Sequence, residues 1–193
     1  MMAALARRVA ADAAGSVLVL VGWSMGGMLA AELALHLHAA GTPPQLVHVA
    51  GRMAPGSFVE AGADVDKYIL ATEEVKASAA WKEWLLPLLN ADLRADARAE
   101  RRVAAAWSAA SSVGGMVATG APPLQCRLQV CAGDRDVAFP PPAIDGWRAL
   151  TSGGFEAHTV RGGHEILQRG AMGLLRLLVG ALLPASPLYR VAW

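Results

Sequence analysis

Ser16-Val17-Leu18-Val19-Leu20-Val21-Gly22-Trp23-Ser24-Met25-Gly26-Gly27 is the stretch on which the reading of this chain turns. Ser16 to Val21 is an apolar run rich in β-branched side chains, the pattern of a fully buried strand. The glycine-rich turn follows without a break. Beyond it, Met28 to His38 carries Ala, Leu and Glu at helical spacing, and Gly41 with Pro43-Pro44 stops that helix. Leu46 to Ala50 is a second short apolar run. Strand, tight turn, helix and strand in that order make a βαβ unit with parallel strands.

Gly22-Trp23-Ser24-Met25-Gly26 is a Gly-x-Ser-x-Gly turn between a strand and a helix, the setting of a nucleophile elbow. Such a turn holds the serine in a strained conformation, so its neighbours must lack side chains where the strand and helix approach. The hydroxyl then stands at the C-terminal edge of the sheet. The backbone N–H of the next residue, Met25, points from a helix N-terminus to where an oxyanion would form. A phosphate loop needs Lys followed by Ser or Thr after the glycines, and Met28-Leu29 stands there. The glycine spacing also fails the dinucleotide fingerprint.

Working outward, Met2 to Ala13 is an Ala-rich helix. Ser57 to about Val117 shows no strand pattern and reads as a helical insertion, with Trp81, Trp84, Leu85, Leu88, Leu89 and Trp107 as its apolar positions. These serve equally well as a lid lining an acyl channel or as ordinary core positions. Pro122-Pro123 restarts the strand pattern. Leu128 to Ala132 is a third strand, followed by the loop Gly133-Asp134-Arg135-Asp136. Pro140 to Leu150 gives a loop and helix, Phe155 to Val160 a fourth strand, Arg161-Gly162-Gly163-His164 a loop, and Gly170 to Leu183 a final amphipathic helix. The fold class is α/β: a partial α/β-hydrolase, with a mostly parallel sheet flanked by helices and a helical lid at about 57–117. Residues 1–193 read as one domain.

An activated serine needs a base and a group that orients it. In this architecture they follow in the order serine, acid, histidine, each on a loop after a strand. Of the five histidines, His36 and His38 fall on the helix after the elbow, and His48 and His158 fall within strands. His164 follows a strand in a Gly-Gly loop and is the expected base. The acid belongs to Gly133-Asp134-Arg135-Asp136, where Asp136 sits deeper in the loop and is preferred, with Asp134 as the alternative.

With 54% hydrophobic and 17% charged residues and a net charge of +1, the chain reads as globular, with no electrostatic case for a nucleic-acid or anionic-membrane partner. Its apolar runs fall short of membrane-spanning length, and the N-terminus lacks a signal-peptide pattern. Cys126 and Cys131 have neither zinc nor redox spacing and read as buried reduced thiols, which fits a cytoplasmic protein.

The elbow with its Leu-Ala-Ala-Glu-Leu-Ala helix resembles the thioesterases of polyketide and nonribosomal peptide synthesis. Val49-Ala50-Gly51-Arg52-Met53-Ala54-Pro55 is similar to the Ser-Gly-Arg-x-Ala-Pro segment of type II thioesterases. Leu85 to Arg94 resembles their lid helix, Cys126 to Val137 their strand-and-acid segment, and Gly162-Gly163-His164 their histidine loop. Trp23 stands where type II members mostly have His, and Glu165-Ile166 replaces a frequent aromatic pair. The resemblance implies Ser24 as nucleophile, Asp136 as acid and His164 as base. It implies hydrolysis of acyl or aminoacyl thioesters on the phosphopantetheine of an acyl or peptidyl carrier protein, with no metal or organic cofactor. It also implies that early strands, roughly 60–80 residues, fall outside this chain, among them the loop giving the second oxyanion N–H. Two other readings compete: a carboxylesterase or lipase acting on oxoesters, and a non-catalytic hydrolase remnant serving as an interaction subunit.

Overall fold

The computed structural model describes residues 1–56, 77–111, 122–166 and 171–182. Part of the expected insertion (57–76 and 112–117), the expected ends of the last helix (Gly170 and Leu183) and the tail lie outside the described residues. Four strands, β1 (Val19–Trp23), β2 (Leu46–Ala50), β3 (Arg127–Gly133) and β4 (Phe155–Val160), form one sheet in the order β1-β2-β3-β4. Every pairing is parallel, as the βαβ reading requires.

The register sorts the side chains onto two faces. Val47 lies beside Leu128 and Val49 beside Val130. With Leu20 these residues point into the larger core, beneath α1 (Met2–Asp12), α2 (Met25–Ala39), α3 (Leu86–Ser111) and a 3₁₀ helix (Pro141–Leu150). Each fully buried Val or Leu here contributes about 1.5–3 kcal/mol of transfer free energy. The opposite face carries Ala50 and Cys131 against Leu174 and Leu177 of α4 (Ala171–Leu182). Strand alternation also turns His48 and Gln129 to this face.

Two expectations need correction. The first strand is not fully buried: its exposure alternates, and Val21 is 50% exposed. Among the described residues β1 pairs only with β2 and so lies at the sheet edge. The helix after the elbow starts at Met25 rather than Met28. Gly26 and Gly27 therefore belong to its first turn, and a Cβ on Gly27 would lie 2.7 Å from Val49 Cγ1. The helix must start this early because it packs directly on β2.

The described part of the insertion is helical. A π-helical turn, Trp81–Leu85, runs into α3. α3 lies along α2, where the buried Glu32 accepts from Arg102 Nη2 at 2.9 Å. Among the described residues no helix is long and apolar enough to cross a membrane.

Candidate active site

Each of the four strands delivers one part of the site at its C-terminal end. β1 ends in the elbow. Ser24 has φ 53° and ψ −124°, and it is the one non-glycine residue at positive φ among the described residues. This strain follows from the glycines around it: a Cβ on Gly22 would lie 2.1 Å from the Gly26 carbonyl oxygen. Strand and helix come so close that the chain must turn within the serine itself. Met25 opens α2, so its N–H lies in the first turn, where no intrahelical acceptor exists.

β3 ends in the acidic loop and β4 in the histidine loop. His164 Nε2 lies 3.0 Å from Ser24 Oγ, and His164 Nδ1 lies 3.0 Å from Asp136 Oδ2. The Asp136 side chain is fully buried, and its Oδ1 accepts from the N–H groups of Ala138 at 3.0 Å and Phe139 at 2.9 Å. One carboxylate oxygen is thus fixed by backbone and the other aimed at the imidazole. Asp134, the alternative acid, faces elsewhere. Its Oδ1 accepts from Gly162 N–H at 2.9 Å, and that bond holds its carboxyl below the usual range. Asp134 therefore ties the two loops together, while Asp136 meets the histidine. His36 and His38 lie on α2, and His48 and His158 on strands, as their positions predict.

The imidazole is clasped from several sides. Trp23 Nε1 donates to the His164 carbonyl at 2.8 Å, and its ring centroid lies 5.3 Å from the imidazole. The Phe139 ring lies 5.1 Å away on a tilted plane. Gly51, at φ +58°, follows β2, and a Cβ there would lie 3.3 Å from both His164 Nδ1 and Trp23 Nε1. Glycine at this position leaves room for the ring.

Arg52 is 1% exposed and turns toward the insertion. Its Nη1 donates to Asp96 Oδ2 at 2.8 Å and its Nη2 to Glu100 Oε2 at 2.7 Å. Glu100 Oε1 accepts from Gly56 N–H at 2.9 Å, and the Arg52 carbonyl accepts from Trp147 Nε1 at 2.9 Å. This gives the Gly-Arg-x-Ala-Pro segment a physical role: it fastens α3 over the sheet edge. Desolvation pushes the Asp96 carboxyl upward; the Arg52 charge opposes this and Glu100 adds to it.

Between the triad line and α3 lies a cavity of about 660 Å³, within the size range of small-molecule sites. Trp23, Ser24, Met25 and His164 face it from the sheet edge, and Trp81, Leu85, Leu88, Leu89 and Leu93 from the insertion. Gly26, Arg52, Asp92, Asp96 and Phe139 complete the described lining. Trp81 and Trp84 of the insertion therefore differ. Trp81 is 8% exposed and lines the cavity, whereas Trp84 is 70% exposed and does not face the core. Among the described residues no group of His, Cys, Asp or Glu side chains is gathered to hold a metal ion.

The Arg52, Asp96 and Glu100 cluster and the Trp23 and Phe139 clasp were not foreseen from the sequence. A signal existed for the first. Asp96 and Glu100 are four apart on one helix, hence on one face, and Arg52 directly follows a buried strand.

The family model described as Thioesterase domain matches residues 1–178. No curated protein matches the chain. Among solved structures, YbtT, a type II thioesterase from the yersiniabactin NRPS/PKS pathway, is 22% identical with a TM-score of 0.72, over 93% of this chain and 72% of that one. RedJ, a thioesterase from the prodiginine pathway in Streptomyces coelicolor, is 25% identical with a TM-score of 0.66, over 94% of this chain and 66% of that one. BorB, a type II thioesterase from the borrelidin cluster, is 26% identical with a TM-score of 0.61, over 94% of this chain and 70% of that one.

Proposed function

The chain belongs to the thioesterase domain family, and from that premise we propose that it is a serine thioesterase acting on acyl groups held as thioesters on the phosphopantetheine arm of an acyl or peptidyl carrier protein. The observation that carries this reading is the continuous line from Ser24 Oγ through His164 to Asp136, with 3.0 Å at each step, opening on an apolar cavity. Free, buried Cys126 and Cys131 fit a reducing, cytoplasmic setting.

The chemistry follows from those distances. His164 Nε2 takes the Ser24 proton as Oγ bonds to the thioester carbonyl carbon. Asp136 holds the Nδ1–H tautomer and stabilises the imidazolium. The carbonyl oxygen becomes an oxyanion facing the Met25 N–H at the start of α2. The C–S bond then breaks, His164 returns the proton to the departing thiolate, and an acyl-serine remains. Water attacks this ester with His164 again as base, releasing a carboxylic acid and restoring Ser24. The apolar insertion residues hold the acyl chain and keep water from the serine until the thiol has left. In this reading the insertion at about 57–117 is a lid within one hydrolase domain.

A fluorophosphonate probe tests the nucleophile, because it adds covalently to a serine activated by a histidine. Intact-protein and peptide mass spectrometry should find a single adduct on the Ser24 peptide, lost in Ser24→Ala and slowed strongly in Asp136→Asn. Labelling that survives Ser24→Ala, or none on a folded sample, would contradict the assignment.

A further inference from the structure

The Trp23 indole bridges the strand that carries the nucleophile and the loop that carries the base. Its main chain is fixed by the sheet. Trp23 ends β1 in register with Ala50, and the next residue, Ser24, donates its N–H to the Ala50 carbonyl at 2.8 Å. Its ring is held as well. It packs against the Ala50, Cys131, Leu174 and Leu177 cluster beneath the sheet, and Gly51 lies against its Nε1, where a Cβ would stand 3.3 Å away. The His164 loop has less to hold it. Gly162, at φ +147°, and Gly163 precede the base, and glycine leaves a backbone many conformations to choose from. Asp134 Oδ1 and the Arg135 N–H pin this loop at Gly162. Beyond that point, the one hydrogen bond on the His164 main chain among the described residues is the 2.8 Å bond that its carbonyl accepts from Trp23 Nε1.

A rigid side chain joined covalently to Ser24 therefore fixes the main chain of the base, while the same indole stands 5.3 Å from the imidazole. We propose that Trp23 is a positioning residue: its indole N–H holds the His164 loop in register with Ser24, so that Nε2 stands 3.0 Å from the hydroxyl it must deprotonate. This rests on the Ser24, His164 and Asp136 centre proposed above. A displacement of about 1 Å at a reacting group can cost on the order of 100-fold in rate. The proposal assigns this effect to the donor rather than to the bulk of the ring. The imidazole of a histidine carries Nε2 at the ring position that Nε1 takes in an indole, so a histidine in place of Trp23 can offer an N–H to the same carbonyl, and a phenylalanine cannot.

The test compares Trp23→Phe, which keeps a ring without a donor, and Trp23→His, which keeps the donor on a smaller ring. Each is checked for cooperative unfolding, and then fluorophosphonate labelling of Ser24 and turnover of an acyl-pantetheine thioester are timed. Trp23→Phe should slow labelling and lower kcat by about 10- to 100-fold, with KM within about 2-fold of wild type because a ring still lines the cavity. Trp23→His should recover most of the labelling rate and of kcat, whatever its KM. That recovery should disappear when His164→Ala is added, which excludes the introduced imidazole as the base. Labelling of Trp23→Phe at the wild-type rate would overturn the proposal. Equal losses in the two variants, or a change confined to KM, would overturn it too. If Trp23→Phe does not fold, benzothienylalanine placed at position 23 decides. It has the shape of tryptophan with sulfur in place of the N–H, and it should show the same loss. Wild type that labels but does not cleave the thioester removes only the thioesterase reading, and the labelling series still decides the role of Trp23. Wild type that folds and does not label overturns both.

Discussion

Among the described residues, two lines join a hydroxyl or thiol to a histidine and an acceptor. At the sheet edge, Ser24 Oγ, His164 and Asp136 are joined by two contacts of 3.0 Å. Within the sheet, beneath α4, His48 Nε2 lies 3.6 Å from Cys131 Sγ and His48 Nδ1 lies 2.8 Å from Gln129 Oε1. On distances alone the two look alike, yet their environments differ in every respect that chemistry needs. Ser24 sits at a strained elbow facing a cavity, whereas Cys131 is 0% exposed within β3. The orienting group is a carboxylate in one and a neutral amide in the other. Burial drives the Cys131 thiol up to about 12, so it holds its proton at neutral pH. Burial also pushes His48 down to about 4; the His158 charge adds to this and the Gln129 hydrogen bond opposes it. A nucleophile beside a histidine is therefore not enough. Access, backbone strain and the charge of the third group separate a candidate reaction centre from a satisfied core.

The contrast can be broken or sharpened by mutation. Ser24→Ala should lower kcat/KM for a thioester by about 10⁴- to 10⁶-fold, the range for losing a triad nucleophile. Asp136→Asn should cost about 10⁴-fold through the wrong imidazole tautomer, with little change in melting temperature. Alkylation of Cys131 in the native protein should be about 10³-fold slower than that of a free thiol of ordinary acidity, because its thiolate fraction falls by that factor. Iodoacetamide labelling followed by mass spectrometry reads this, and rapid labelling in the folded state would count against a closed core.

Burial of His48 also sets a pH signature. The unfolded His48 binds a proton near 6.5 and the folded one only near 4. Between those values the unfolded state holds more protons, so stability is present above pH 6.5 and is lost as pH falls toward 4. The loss amounts to about 3 kcal/mol. Urea unfolding across that range should show the decline, and His48→Asn should flatten it. The smallest effect belongs to Cys131→Ala. It should leave turnover within about 2-fold, since deleting a buried sulfhydryl trims packing without touching the site.

The order of elements was legible because each carries a local signal: apolar runs for β1 to β4, helical spacing for α2, and glycine and proline at the stops. The placing of Ser24, Asp136 and His164 at strand ends was legible for the same reason. What local patterns could not carry was the third dimension. Asp134 and Asp136 share one loop, and only the fold turns Asp136 to His164 and Asp134 to Gly162. Val21 looks as buried as Val47 in sequence, but β1 lies at the sheet edge among the described residues and β2 does not. Trp81 and Trp84 are three apart, a spacing that shares one face of an α-helix, yet on the π-helical turn Trp81–Leu85 one lines the cavity and the other is exposed. Arg52 finds Asp96 and Glu100 across more than forty residues, beyond the reach of any periodicity.

Thiol release from an acyl-pantetheine thioester, measured beside the matched oxoester for wild type and Ser24→Ala, tests the central claim most directly. The account predicts that the thioester is cleaved faster than the oxoester and that both reactions vanish in Ser24→Ala. Thiol release that persists in Ser24→Ala would contradict the serine mechanism. An oxoester preference would make the protein a carboxylesterase, and no turnover by a folded sample would contradict independent catalysis by this chain.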